Sequence, residues 1–394
     1  MYDYFMEKLI YKKFILGTGA YLDKALAKGL GGVIFFTRDI HSKEQFQALI
    51  NDIKQKAVYK LFLSIDQEGG RVERTENIHA RYLSPRFAYE RGEDFLRNQA
   101  KKIAQELKDY GINLNFAPCA DVNTNPKNPI IGERAFSSIT YDVVNAVKIV
   151  SETYRQNGII PCLKHFPGHG DASMDSHLTL PIIDLPMSTM ENIHIKPFKE
   201  NLDAEMIMAA HLHCTCFDNE PIPASLSKNV IGYLRNVLKY DGVVITDDMV
   251  MKGVQNFGSA EACKMAIKAG VDMFIFRDAD ENAVNTIEQL IVDAKEDEVL
   301  MAKILESDLR IESLKKARLS QSRFFINLLL LNCTCRFFSI KTFFAENISS
   351  LCRVKRYLRL FSTFSANRII HFLLTSVLLF LCLSAISASF WLIC

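Results

Sequence analysis

The ten cysteines include no CxxC pair; the closest, Cys214/Cys216 and Cys333/Cys335, are CxC, a spacing that points to neither a zinc ribbon nor a disulfide framework. No GxGxxG follows any apolar run and there is no GxxxxGK[ST], so the usual phosphate-cradling loops are missing. The first residues, MYDYFMEKLIYKKFILG, lack an uninterrupted apolar core of signal-peptide length and a small-residue cleavage site, which argues against export and leaves a reducing cytoplasm as the default. The body has no basic stripe, so nucleic acid is not expected as a partner. The formal net charge of +2 hides an asymmetry: residues 1–318 carry an acidic excess, whereas 319–394 hold eight Lys/Arg against one acid, Glu346.

What is present is a repeating pattern. Short apolar runs rich in β-branched and aromatic residues recur eight times: FILG (14–17), GVIFF (32–36), LFLSI (61–65), NLNFA (113–117), IIPCL (159–163), MIMAA (206–210), GVVIT (242–246) and DMFIF (272–276). The first is the weakest. Between them lie stretches with helical spacing, such as 44–57, 100–111, 143–158 and 260–270, several ending in Gly. Near-continuous apolar strands alternating with amphipathic helices describe a parallel sheet covered by helices, and eight such units predict a single (β/α)₈ TIM-type barrel over residues 1–318 rather than an open sheet.

In such a barrel the reactive side chains sit where strands end. Asp66 closes LFLSI, Lys164 and His165 close IIPCL, His211 follows MIMAA, Asp247 and Asp248 close GVVIT, and Asp278 stands just past DMFIF. Packing alone would not require this clustering, which places the candidate site at that rim. Successive residues of a strand point to opposite faces, so just one acid of the Asp247/Asp248 pair can face the mouth. His165 and His169 have the i, i+4 spacing of a helical zinc pair, but Pro167 and Gly168 between them argue against a helix. No metal and no cofactor is therefore expected. His211 and His213 read as satisfied buried polar groups.

Four of these rim segments, DQEGGRVER (66–74), NFAPCADVNTNPKNPIIGERAF (115–136), KHFPGHGDASMDSH (164–177) and YDGVVITDDM (240–249), resemble the β-N-acetylhexosaminidase branch of glycoside hydrolase family 3 and stand in family order. The resemblance extends to about residue 317. It implies a retaining exo-β-N-acetylglucosaminidase acting on a small carbohydrate, terminal N-acetylglucosamine on peptidoglycan-derived muropeptides. Asp247 would be the nucleophile, and Asp248 would support the loop. His177, steered by Asp175, would be the acid/base; an imidazole with an ordinary pKa near 6.5 can give and take a proton at neutral pH. Asp66, Arg74, Arg134, Lys164 and His165 would line the sugar pocket, while Glu68, Arg71 and Glu133 are read as rim ion pairs. The Gly-rich loop that carries His177 should lie at the surface.

Two other readings use the same barrel. A β-glucosidase or glycoside phosphorylase is one: the Asp-Ser-His loop speaks against the glucosidase, whereas a neutral-capable His repels phosphate less than a carboxylate would and so leaves the phosphorylase open; an inactive carbohydrate-binding or membrane-associated protein is the other, against which the intact Asp247, Asp175 and His177 speak. Residues 319–394 contain no Gly or Pro, and 369–394 carry no Asp, Glu, Lys or Arg. Preceded by Arg353, Lys355, Arg356 and Arg359, that stretch reads as a membrane anchor with the barrel on the cytoplasmic side, or alternatively as the product of out-of-frame translation.

Overall fold

All eight apolar runs form strands in the computed structural model, which describes residues 2–172 and 180–319. In chain order they are β1 (Phe14–Leu16), β2 (Gly32–Phe35), β3 (Phe62–Ile65), β4 (Leu114–Asn115), β5 (Ile160–Phe166), β6 (Met206–Ala209), β7 (Val243–Asp248) and β8 (Met273–Phe276). Each pairs in parallel with its neighbours in sequence, and β1 also pairs with β8, so the sheet closes. The weakly patterned first strand is the closing stave, with Phe14, Ile15 and Leu16 in register with Phe274, Ile275 and Phe276. The (β/α)₈ expectation holds.

Closure explains why the strands read as continuous apolar runs, since both faces of every strand are buried. Ile15, Phe62, Ile160, Cys162, Met206, Val243, Ile245 and Met273 pack inside the barrel, whereas alternate residues such as Phe14, Leu63, Leu163, Ile207 and Val244 join the helices in an outer core. The helix Lys43–Lys56 shows the local logic. Ser42 caps it by accepting from the Gln45 N–H at 3.1 Å, and Phe46, Ile50 and Ile53, one turn apart, supply its buried stripe. The helix Glu93–Tyr110 begins before the expected residue 100 because Leu96 extends its buried stripe, and it stops at Gly111 with φ of 84°.

β4 is shorter than the five residues expected. Asn115 turns its side chain to the backbone of Gln67, accepting from its N–H at 2.9 Å and donating to its carbonyl at 2.8 Å, which spends amide bonding on the β3 loop. No described helix is long and apolar enough to cross a membrane. The 369–394 stretch lies outside the described residues.

The helix Glu298–Leu319 covers the floor of the barrel. Ile311 and Leu314 join the interior cluster directly, and the buried Lys13 reaches across to the Ile304 carbonyl at 2.9 Å and Ser307 Oγ at 2.5 Å. Lys12 adds ion pairs to Asp308 and Glu312, each at 2.9 Å. Truncating a fully buried aliphatic at this seal leaves a cavity that the rigid barrel cannot fill. Ile311→Ala should therefore cost about 2–5 kcal/mol in urea denaturation, whereas Leu309→Ala, on the 73% exposed face of the same helix, should change stability by no more than about 0.5 kcal/mol.

Candidate active site

The strand alternation that packs the interior also aims the rim. Phe62 and Ser64 lead to Asp66; Ile160 and Cys162 lead to Lys164; Val243 and Ile245 lead to Asp247. These side chains meet in a cavity of about 440 Å³ at the C-terminal mouth, together with Arg74, Arg134, His165 and His169. Phe36 and Arg277, the matching positions past β2 and β8, line its other side.

Lys164 is the centre of one wall. Its ammonium lies 2.7 Å from Asp66 Oδ1 and 2.6 Å from Glu68 Oε1, and Arg134 grips the same Glu68 with Nε at 2.9 Å and Nη2 at 2.8 Å. Burial alone would raise the Glu68 pKa, but the fields and hydrogen bonds of Arg134 and Lys164 outweigh it and hold the carboxyl far below its usual range. Arg74 reaches Asp66 at 3.9 Å. Gly69 and Gly70 turn the β3 loop back with φ of 97° and 64°, and a Cβ on Gly69 would come within 2.3 Å of the Leu83 carbonyl.

From Arg134 the wall continues through His165. Arg134 Nη2 lies 3.2 Å from His165 Nε2, and His165 Nδ1 lies 2.7 Å from the buried Asp121 Oδ2. Since Arg can donate alone, Nε2 accepts and the proton sits on Nδ1. Asp121 also takes the His169 N–H at 2.6 Å and the Cys119 thiol at 3.2 Å. Burial would raise its pKa, yet the two imidazoles and the His169 N–H keep it strongly depressed.

Asp247 stands apart from these ion pairs. Its Oδ1 accepts the Asp248 N–H at 2.7 Å. Burial pushes its pKa up, but the imidazoles of His165 and His211, that N–H and Lys164 push harder, and the carboxyl ionises at about 2. Asp248 is a loop support, accepting from the Val250 N–H at 3.2 Å and from the Arg277 side chain. His211 is the satisfied buried group expected, with Nδ1 2.7 Å from Ser225 Oγ and Nε2 3.2 Å from the Asp248 carbonyl. His213 departs from that expectation, because its Nδ1 has no partner.

The expected pocket residues Asp66, Arg74, Arg134, Lys164 and His165 therefore come together with Asp247. Glu68 forms the ion pairs expected of it but does so beneath the pocket, tying two of its cations together. Arg71 donates to the Pro129 carbonyl at 2.9 Å and to the Ile130 carbonyl, where a rim ion pair was expected. Asp278 pairs with Arg38, beside Phe36. His177 and Asp175 lie in 173–179, outside the described residues. Asp121 is the residue that sequence reasoning passed over. Its signal is an acid four residues past an apolar strand run, inside a segment otherwise buried.

Asp247 ionises below the ordinary carboxylate range, so its charged form stabilises the fold above about pH 4, and that contribution is lost as pH falls through about 2. The stability gap between the native protein and Asp247→Asn should shift by about 2 kcal/mol against the native protein between pH 5 and pH 2, as read from denaturation curves. A gap that is flat over that range would contradict the depressed pKa.

Comparison with known proteins agrees with this geometry. Residues 22–314 match the Glycosyl hydrolase family 3 N terminal domain. The beta-hexosaminidase A of Pseudoalteromonas piscicida is 32% identical over 323 residues, covering 74% of this chain and 54% of that protein, so the chain spans little more than half of that relative. The beta-hexosaminidase of Glaesserella parasuis serovar 5 (strain SH0165) is 32% identical over 273 residues, covering 66% of this chain and 77% of that protein. The glycoside hydrolase family 3 beta-N-acetylglucosaminidase from Paenibacillus sp. str. FPU-7 superposes with a TM-score of 0.75 at 30% identity, over 79% of this chain and 62% of that one. A family match that runs from before β2 to the helix sealing the barrel floor means that this chain belongs to glycosyl hydrolase family 3.

Proposed function

We propose that the chain is a retaining exo-β-N-acetylglucosaminidase that removes terminal N-acetylglucosamine from peptidoglycan-derived muropeptides in cell-wall recycling. The observation that carries the reading is Asp247, an ionised carboxylate lining a charged cavity, which among the described residues accepts its hydrogen bond from the backbone and not from a cation. Such an oxygen is free to attack an anomeric carbon. Lys164, Asp66, Arg134 and His165 present donors and acceptors suited to the hydroxyls of a pyranose, which can both give and take hydrogen bonds. The relatives, named beta-hexosaminidase and beta-N-acetylglucosaminidase, support the same class of substrate.

In this reaction Asp247 displaces the leaving sugar and forms a glycosyl ester, while His177, oriented by Asp175, protonates the departing oxygen. The same imidazole then takes a proton from water, which attacks the ester and releases N-acetylglucosamine with retained configuration. The five described cysteines are free thiols, which supports a reducing cytoplasm as the compartment.

Incubation with a fluorinated N-acetylglucosamine analogue bearing an activated leaving group should label one carboxylate, found by peptide mass spectrometry on Asp247. Label on Asp66 or Asp248 instead would reassign the nucleophile, and no label with no turnover would remove the hydrolase reading. Separately, His177→Ala should slow hydrolysis of a poor leaving group by roughly 10²–10⁴-fold and slow an activated aryl glycoside much less. Equal losses on both would take His177 out of the acid role.

A further inference from the structure

Behind the sugar pocket two hydrogens point at a single oxygen. The Cys119 thiol, at 3.2 Å, and His165 Nδ1, at 2.7 Å, both donate to Asp121 Oδ2, and all three residues are at least 95% buried. Sulfur, carboxylate oxygen and imidazole nitrogen lie within 4.8 Å of one another. This is a mixed S/O/N donor set of the kind that binds Zn²⁺ and neighbouring first-row dications, collapsed onto its own protons.

A second observation concerns His169. It is 2% exposed, neither of its ring nitrogens has a hydrogen-bond partner among the described residues, and its ring stands edge-on to His165 at 5.9 Å. Its backbone N–H already donates to Asp121 Oδ1 at 2.6 Å. Unpaired buried nitrogens cost about 1–3 kcal/mol each, and an imidazole whose ring centroid is 5.9 Å from that of His165 stands next to the three donors as a further candidate ligand. His165 and His169 also line the open cavity, which gives an ion a way in.

We propose that Cys119, Asp121 and His165, with His169 beside them, form a binding site for a thiophilic divalent cation such as Zn²⁺, and that occupancy of this site inhibits the enzyme. Zn²⁺ enters, the Cys119 thiol releases its proton to solvent, and the His165 proton moves from Nδ1 to Nε2, so the imidazole stays neutral. Bonds of about 2.0 Å to N and O and about 2.3 Å to S need the donors roughly 3.3–3.5 Å apart, so the Asp121 carboxylate backs away from His165 by about half an ångström. Inhibition follows from the tautomer. Once Nε2 carries hydrogen it cannot accept from Arg134, and the 3.2 Å contact between two residues of the sugar pocket is lost. The inhibition rests on the glycosidase reading, whereas binding of the ion does not.

The test uses the full chain with Co²⁺ as the spectroscopic probe and Zn²⁺ as competitor and inhibitor. Cys119→Ser keeps a hydroxyl to donate to Asp121 but is a poor ligand for a thiophilic ion, and Cys216→Ser controls for a half-exposed thiol elsewhere. One equivalent of Co²⁺ should give a thiolate-to-cobalt charge-transfer band in the native protein and in Cys216→Ser, displaced by Zn²⁺ and absent in Cys119→Ser. His169→Ala should weaken Zn²⁺ about 10- to 100-fold. Zn²⁺ should inhibit N-acetylglucosaminide hydrolysis in the native protein and lose that effect in Cys119→Ser, each relative to its own metal-free rate. A native protein without the band, or a Cys119→Ser protein that keeps it, overturns the site; Cys119→Ala repeats the comparison should the serine variant melt early. A band that follows Cys119 while Zn²⁺ leaves the rate untouched overturns the coupling to Arg134. A protein that hydrolyses no N-acetylglucosaminide refutes the glycosidase reading and with it the inhibition, and the band still decides the site.

Discussion

The buried carboxylate of Glu68 holds one wall of the cavity in place, because both Arg134 and Lys164 converge on it. Buried charges are tolerated when each has a partner at hydrogen-bonding distance, and removing one partner leaves the others exposed to the full desolvation cost. Lys164 satisfies that condition by bridging Glu68 to Asp66, and Arg134 satisfies it by a two-pronged grip on Glu68 that leaves Nη2 also facing His165. The direction of each pocket side chain is therefore set by its neighbour. Side chains fixed in this way would need little reorganisation on binding the proposed sugar, which is what suits a charged wall to neutral hydroxyls.

The opposite demand applies to Asp247, the proposed nucleophile. A carboxylate locked to a cation would be a poor attacker, and Asp247 sits close enough to the field of Lys164 and the two imidazoles to stay ionised, while accepting a hydrogen bond from the Asp248 backbone. The charge network thus performs two tasks with one set of residues: it orients one wall of the cavity by direct contacts and keeps the Asp247 carboxyl ionised by longer-range fields. Asp121 extends the same arrangement outward, setting the tautomer of His165 and so the sense of its bond to Arg134.

Much of this was legible before any coordinates. Eight apolar runs separated by amphipathic stretches translate into a closed parallel barrel because strands buried on both faces have no other composition available to them. The parity of side chains along a strand lets just one of Asp247 and Asp248 face the mouth, the family resemblance points to Asp247, and the same two-residue step carries Phe62 to Asp66 and Ile160 to Lys164. Where the reading fell short, the cause was a contact between distant segments. β4 shortens because Asn115 meets Gln67 from another strand's loop, and Arg71 finds carbonyls at 129–131 in place of an acid. Asp121 looked like one acid in a loop because the imidazole that gives it meaning is 44 residues away.

Taken alone, the sequence determined the fold class, the end of the barrel that carries the chemistry, and the residue types gathered there, since all three follow from local periodicity and from where polar residues interrupt it. Only the tertiary structure decided which charges pair, which histidine nitrogen bears the proton, and that a cysteine, an aspartate and a histidine share one oxygen. Those are properties of distances across the barrel rim, and barrel closure, not chain spacing, sets such distances.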